Sequence, residues 1–203
     1  MTRYPILGAK ASLSPCVLAV LLLGLVGCAA FPASTAPVVR IGLVAPFEGR
    51  YREIGYDVIY AARLAIREWN GRGGVQGYRV ELVALDDNGD TELAVRAAQS
   101  LALDPMVLGV VGHWLDETTT AARPVYQEAR MPFIAMGEVE PAESELPKDF
   151  VAQYQVVAPF GESPGPHALP TYDACNALIT AIGGAIAADG EPTRSGVELA
   201  LAD

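Results

Sequence analysis

The segment His113-Trp114-Leu115-Asp116-Glu117-Thr118-Thr119-Thr120 gathers an imidazole, an indole, two carboxylates and three hydroxyls. It follows a continuous apolar run, Val107 to Gly112, and opens a helical pattern. In an open parallel sheet, ligands bind outside the carboxyl ends of the strands, against helix N-termini. Trp114 is thus a candidate stacking group. Asp116 and Glu117, with Thr118 beside them, are candidate acceptors for an amine or hydroxyls. They also sit where the helix dipole favours anions. Capping of the helix by Asp116 is the plainer role, and it is compatible with ligand contact.

Other chemical-looking runs do not hold up. Gly161-Glu162-Ser163-Pro164-Gly165 has the letters of a hydrolase nucleophile elbow. An elbow needs a helix straight after the serine and the next residue's N–H as an oxyanion donor. Pro164 has no N–H, and Pro166 opposes a helix. The glycines at 71, 73, 74 and 77 lie after a helix and before a strand, the reverse of a phosphate-binding loop. They read as a helix C-cap and a tight turn. Asp86-Asp87-Asn88-Gly89-Asp90 lacks the loop length and closing Glu of a calcium hand, and reads as a strand-end turn that caps the next helix. His113 and His167 are the only histidines, so no N/S metal set is expected, and no cofactor. Cys175 reads as a small core residue.

These residues need elements to hold them. Val38 to Val44 reads as a buried strand. Arg52 to Asn70 reads as a helix whose apolar stripe is Ile54, Val58, Ala61, Ala65 and Trp69. Gly71 stops it. Arg79 to Leu85 is a second strand. Asp90 or Thr91 caps a second helix with Leu93, Ala97 and Leu101 inward. Val107 to Gly112 has the character of a central parallel strand. Thr118 to Arg130 is a third helix with Ala122, Val125 and Ala129 inward, and Pro132 to Met136 a fourth strand. The alternation predicts an α/β fold, a parallel sheet with helices on both faces in flavodoxin/Rossmann-like layering. Residues 138–149 form an acidic, proline-bearing connector. Phe150 to Val157 is ambiguous, and Pro159 to Pro170 reads as a loop. Thr171 to Ala188 is a long helix with Tyr172, Cys175, Ile179, Ile182 and Ile186 inward. Gly183-Gly184 weakens it by roughly 1 kcal/mol per glycine. Pro192 and Thr193 start a last helix through Leu201.

Residues 1–27 carry Arg3 and Lys10, then an apolar run too short for a comfortable membrane span. They end in Leu25-Val26-Gly27-Cys28, which resembles a bacterial lipoprotein signal with Cys28 as the lipidated residue. Diacylglycerol plus an amide-linked acyl chain would anchor stably. An ordinary secretory signal or signal anchor is the alternative. Residues 28–37 read as a tether, and 38–203 as a single domain. The chain has 14 basic against 24 acidic residues, a formal net charge of −10. Such a surface repels nucleic acid and anionic headgroups.

The segment Val39-Arg40-Ile41-Gly42, then Gly55 through Ala61, Glu68-Trp69-Asn70, Gly73-Gly74-Val75-x-Gly77 and Asp86-Asp87 resembles the type I periplasmic binding proteins of the leucine/isoleucine/valine branch. Val110-Val111-Gly112-His113, Ala122-x-Pro124-Val125-Tyr126 and Pro132-Phe133-Ile134 continue the match in order. Phe150-x-x-x-Tyr154, Pro170-x-Tyr172-Asp173-Ala174 and Val197-x-x-Ala200-Leu201 resemble the family's late segment. The resemblance implies a non-enzymatic protein that captures small solutes outside the cell and passes them to an ABC permease. Family members are far longer, with two lobes that close on the ligand. Here 38–137 and 150–203 look like the two sequence-separated halves of lobe one, joined by 138–149.

The resemblance also carries departures at the site. The family's carboxylate-binding serine matches Asp116, with Glu117 beside it. Two like unit charges ~4 Å apart repel by roughly 1 to 4 kcal/mol, so free leucine, isoleucine or valine is not expected to bind measurably. The family's polar amine-binding position falls near Val139. The expected ligand face is Pro46 to Tyr51, Trp114 to Thr118 and Gly137 to Val139, with Tyr51 and Trp114 as stacking groups. The leading expectation is a lipid-anchored, extracytoplasmic solute-binding lobe of an ABC importer. Its ligand would be an amino acid, amine or polyol-like solute. The alternative is an interaction or sensor-partner lobe, or a vestigial product, without a small ligand. An exposed apolar patch on the strand-end face would favour that alternative. A polar cleft there would favour solute binding.

Overall fold

The computed structural model describes residues 36–138 and 146–202. The leader, Cys28, the tether as far as Thr35, and residues 139–145 of the connector, Val139 included, lie outside the described residues.

Four parallel strands form one sheet in the order β2-β1-β3-β4. They are β1 (Val38–Ala45), β2 (Arg79–Asp86), β3 (Val107–Gly112) and β4 (Phe133–Ala135). β1 pairs with β2 in continuous register from Val38↔Arg79 to Ala45↔Asp86. Its pairing with β3 shifts by a bulge at Arg40/Ile41. Parallel strands require crossovers, which α1 (Arg52–Gly71), α2 (Thr91–Leu103) and α3 (Asp116–Glu128) supply. The late helices are α4 (Lys148–Val157), α5 (Ala168–Asp189) and α6 (Arg194–Ala202).

Side-chain alternation along β1 separates two cores. Val39, Ile41, Leu43 and Ala45 face Val58, Ala62 and Ala65 of α1, Leu178, Ile179 and Ile182 of α5, and Val197 of α6. Val44 faces the opposite layer, built by Ala94, Ala98 and Leu101 of α2 with Ala122 and Tyr126 of α3. α4 packs outside α1 through Phe150, Tyr154, Ala61 and Leu64. The sheet is therefore covered on both faces, as expected.

The glycine run after α1 is a turn. Gly74 N donates to Trp69 O at 2.9 Å, and Val75 and Tyr78 exchange two backbone hydrogen bonds. Between them Gln76 and Gly77 both have positive φ, 49° and 83°, as a tight two-residue hairpin requires. Asn70 then serves as a backbone surrogate for the edge strand. Its amide donates to Val80 O at 2.8 Å and accepts from Val80 N at 2.9 Å.

Several element limits differ from expectation. α3 starts at Asp116 rather than Thr118 and ends at Glu128, where Arg130 turns to a φ of 48°. β4 is shortened to Phe133–Ala135 because Met136 enters a 3₁₀ turn. The ambiguous 150–157 stretch is helical from Lys148, inside the expected connector. α5 begins at Ala168, three residues early, because Pro170 in a first turn removes an N–H that has no helical partner. The Gly183-Gly184 pair admits close neighbours: a Cβ at Gly183 would lie 3.0 Å from Val75 Cγ2, and one at Gly184 3.4 Å from Ala200 Cβ.

Candidate functional site

The strand order reverses direction between β1 and β3, which places the binding crevice of an open α/β sheet outside their carboxyl ends. The loops there are 46–51 and 113–115, flanked by 87–90 and 136–138. Each is tied to its neighbour. Asp86 Oδ1 accepts from Phe47 N and Asn88 N, both at 2.8 Å. Asp87 Oδ2 lies 2.7 Å from His113 Nδ1, and its Oδ1 accepts from Gly89 N at 3.0 Å. His113 O accepts from Gly137 N at 2.6 Å and from Thr119 Oγ1 at 3.1 Å. His113 Nε2 lies 3.1 Å from the Tyr126 hydroxyl, whose acidity burial weakens strongly.

The expected ligand residues divide. Asp116 and Glu117 are exposed in the first turn of α3. Asp116 is not the cap: Leu115 holds that position without a side-chain hydrogen bond. Thr118 is buried, and its hydroxyl donates to Leu115 O at 3.0 Å. Gly137 is half-buried beside it, with Thr119 Oγ1 2.8 Å from where its Cβ would stand. Tyr51 is half-buried, and the Arg50 guanidinium covers one ring face at 4.4 Å. Tyr51 and Leu115 close on Gly89, where a Cβ would lie 2.9 and 3.0 Å from them.

Trp114 corrects the stacking expectation. It is 7% exposed and belongs to the core with Met136 and the β1–α1 layer. An apolar ring at a strand end gains more by burial than by facing water. Its indole N–H has no partner among the described residues.

Sequence reasoning missed a cavity of about 400 Å³ that follows Tyr51 along the chain. Glu53, Ile54, Tyr56 and Asp57 of α1 form one wall, with Tyr154, Glu162, Ser163 and His167 opposite. Asp57 is 8% exposed and accepts from Gly165 N and His167 N, each at 2.8 Å. Burial raises the Asp57 carboxyl above its ordinary range, against these two N–H donors, and lowers the His167 imidazole. Residues 161–165 do not form an elbow: no helix starts until Ala168, and the Gly165 N–H is bound by Asp57. The signal for this wall was Asp57 itself, a carboxylate on the buried side of α1.

The family profile of periplasmic binding proteins matches residues 38–164. The chain belongs to this family. Among curated relatives, an amino acid binding protein of Pseudomonas aeruginosa is 32% identical over 107 residues, 53% of this chain and 29% of its own length. A Leu/Ile/Val-binding protein homolog 7 of Brucella abortus is 31% identical over 114 residues, 55% of this chain and 28% of its own. This chain thus spans less than a third of the length of these two relatives. A solved chain from Rhodospirillum rubrum, named for a branched-chain amino acid ABC transporter, aligns with a TM-score of 0.67 at 16% identity. It covers 81% of this chain and 89% of its own, and so shows the fold almost throughout.

Proposed function

We propose that this chain is a non-enzymatic, extracytoplasmic solute-binding component of an ABC-type importer. Its signal would be residues 1–27, its lipid anchor Cys28 and its tether 28–37, with a permease as partner. Residues 38–203 would supply one lobe of the flytrap. The observation that carries the reading is the cavity of about 400 Å³ between the N-terminal part of α1 and the 162–167 segment. Its volume lies in the range of small-molecule sites. Its lining mixes apolar Ile54 and Tyr56 with the carboxylates of Glu53 and Glu162 and no Lys or Arg. With Asp116 and Glu117 exposed in the first turn of α3, the chemistry favours a solute bearing an amine or hydroxyls.

The interaction-lobe alternative called for an apolar strand-end face. Among the described residues the exposed large hydrophobics are Tyr56, Leu103, Val156, Phe160 and Leu199. None lies in loops 46–51, 113–115 or 136–138, which supports solute binding. A thermal-shift screen of amino acids, amines and sugars tests the proposal, because a ligand of the folded state raises apparent stability by mass action. An amine or polyol is expected to raise Tm. A flat response across all classes at millimolar concentration refutes solute binding.

A further inference from the structure

We infer that Asp57 is the positioning residue of the cavity, a carboxylate latch that holds the wall 162–167 against α1. The inference rests on the solute-binding reading only in naming the cavity as the site so shaped.

Both walls come from distant parts of the chain. Asp57 lies on α1, and Gly165 and His167 lie 108 and 110 residues later. The contact is bidentate: Oδ1 accepts from Gly165 N and Oδ2 from His167 N, both at 2.8 Å. Tyr154 of α4 closes the third side, its hydroxyl donating to Asp57 O at 3.0 Å. Gly165 is the residue that permits this approach, since a Cβ there would stand 2.9 Å from Asp57 Oδ2. The same carboxylate meets the start of α5, whose nominal cap, His167, makes no side-chain cap bond. Asp57 therefore caps α5 from across the cavity, and α5 in turn carries the core residues Cys175, Leu178 and Ile179.

The bonds are charge-assisted and withdrawn from water, so they depend on ionisation of Asp57. A protonated carboxyl offers its hydroxyl oxygen as a donor, and one of the two backbone N–H groups loses its acceptor. The ionisable groups that line the cavity with Asp57 are His167 and Glu162 on the wall, Tyr154 on α4, and Glu53 and Tyr56 on α1. None of them contributes a cationic partner by a salt bridge among the described residues. Burial raises the carboxyl pKa, so the latch releases on mild acidification, above the ordinary carboxylate range.

Amide hydrogen exchange of the solute-free protein tests this, read as protection factors so that intrinsic pH effects cancel. In the wild type, Gly165 and His167 are expected to be protected at neutral pH and to lose protection as pH falls through the Asp57 titration. Asp57→Asn is expected to lower their protection roughly 10- to 100-fold, as for one lost charge-assisted bond, and to abolish its pH dependence. Amides of β1 and β3 should stay protected in both. Gly165→Ala serves as an independent variant: it leaves α1 untouched, and its Cβ is expected to open the same wall. Wild-type protection at 165 and 167 in Asp57→Asn, or a pH-independent profile in the wild type, overturns the latch. No solute is present, so failure of solute binding would leave this readout intact.

Discussion

His113 Nδ1 lies 2.7 Å from Asp87 Oδ2, and both side chains are withdrawn from solvent. In the neutral tautomer whose Nδ1–H donates to Asp87, Nε2 accepts from the Tyr126 hydroxyl at 3.1 Å. The side chain of His113 thus joins the end of β2 to α3. Its carbonyl joins β4 to α3 through Gly137 and Thr119. One residue fixes three of the four strand-end loops. Tyr126→Phe keeps the ring against Phe133, whose centroid is 4.5 Å away, but orphans Nε2. The expected cost is about 1–3 kcal/mol for a buried unsatisfied acceptor. Urea unfolding checks it, with a lower midpoint and an unchanged slope.

Asp104 predicts a pH dependence. Its carboxyl lies below the ordinary range, first because Met106 N–H bonds it at 2.9 Å and then because Arg40 does, also at 2.9 Å. Burial acts against both. A folded pKa below the unfolded one gives stability that is full above the unfolded value and lost as pH falls through the folded one. Asp104→Asn is therefore expected to be less stable than wild type by a constant amount above about pH 5, with the gap closing below about pH 4. Tm measured against pH checks the convergence.

The late helices are bonded to the early elements: α4 through the Tyr154 hydroxyl to Asp57 O, α6 through Arg194 Nε to Val107 O, and α5 by two side-chain pairs with α1. Trp69 Nε1 donates to Asn176 Oδ1 at 2.8 Å, and the Tyr172 hydroxyl donates to Glu68 Oε2 at 2.6 Å. Residues 148–202 should therefore unfold with the sheet. Trp69→Phe is expected to lose about 0.5–1.5 kcal/mol for the hydrogen bond while keeping a single transition. Calorimetry that resolves two transitions, in wild type or variant, would contradict a shared domain.

What the sequence revealed depended on range. Strands β1 and β3 were legible because continuous apolar runs bounded by turn residues have few alternatives. The helix α2 start was legible because Asp90 bonds the N–H groups of Glu92 and Leu93, two and three residues on. The Asp87–His113–Tyr126 chain was not, since its members are 26 and 13 residues apart and carry no shared period. Asp57 was hidden for the same reason. Trp114 was misread because a ring two residues beyond a strand can turn to core or crevice, and only packing with Met136 and α1 decides it. Asp116 and Glu117 were legible as carboxylates at a helix N-terminus, but the start was read two residues late and Asp116 taken as the cap, because Leu115 caps without a side-chain hydrogen bond that sequence could signal.

The exposure of Asp116 and Glu117 sharpens the ligand prediction. In water-like surroundings each carboxylate repels a ligand carboxylate ~4 Å away by about 1 kcal/mol, the low end of the range. Leucine is the apt probe, because curated relatives carry Leu/Ile/Val in their names. Wild type is expected to give no measurable leucine heat, and micromolar binding would refute that. Asp116→Ser, which puts a neutral hydroxyl in place of the carboxylate, should favour leucine by about fivefold, and Glu117→Gln added to it by roughly 30-fold. The sign should reverse for putrescine, which these two carboxylates attract, so the double variant should bind it more weakly. Parallel calorimetric titrations of both probes separate charge from shape. Opposite shifts assign the effect to Asp116 and Glu117, whereas loss or gain of both together assigns it to a change in the crevice.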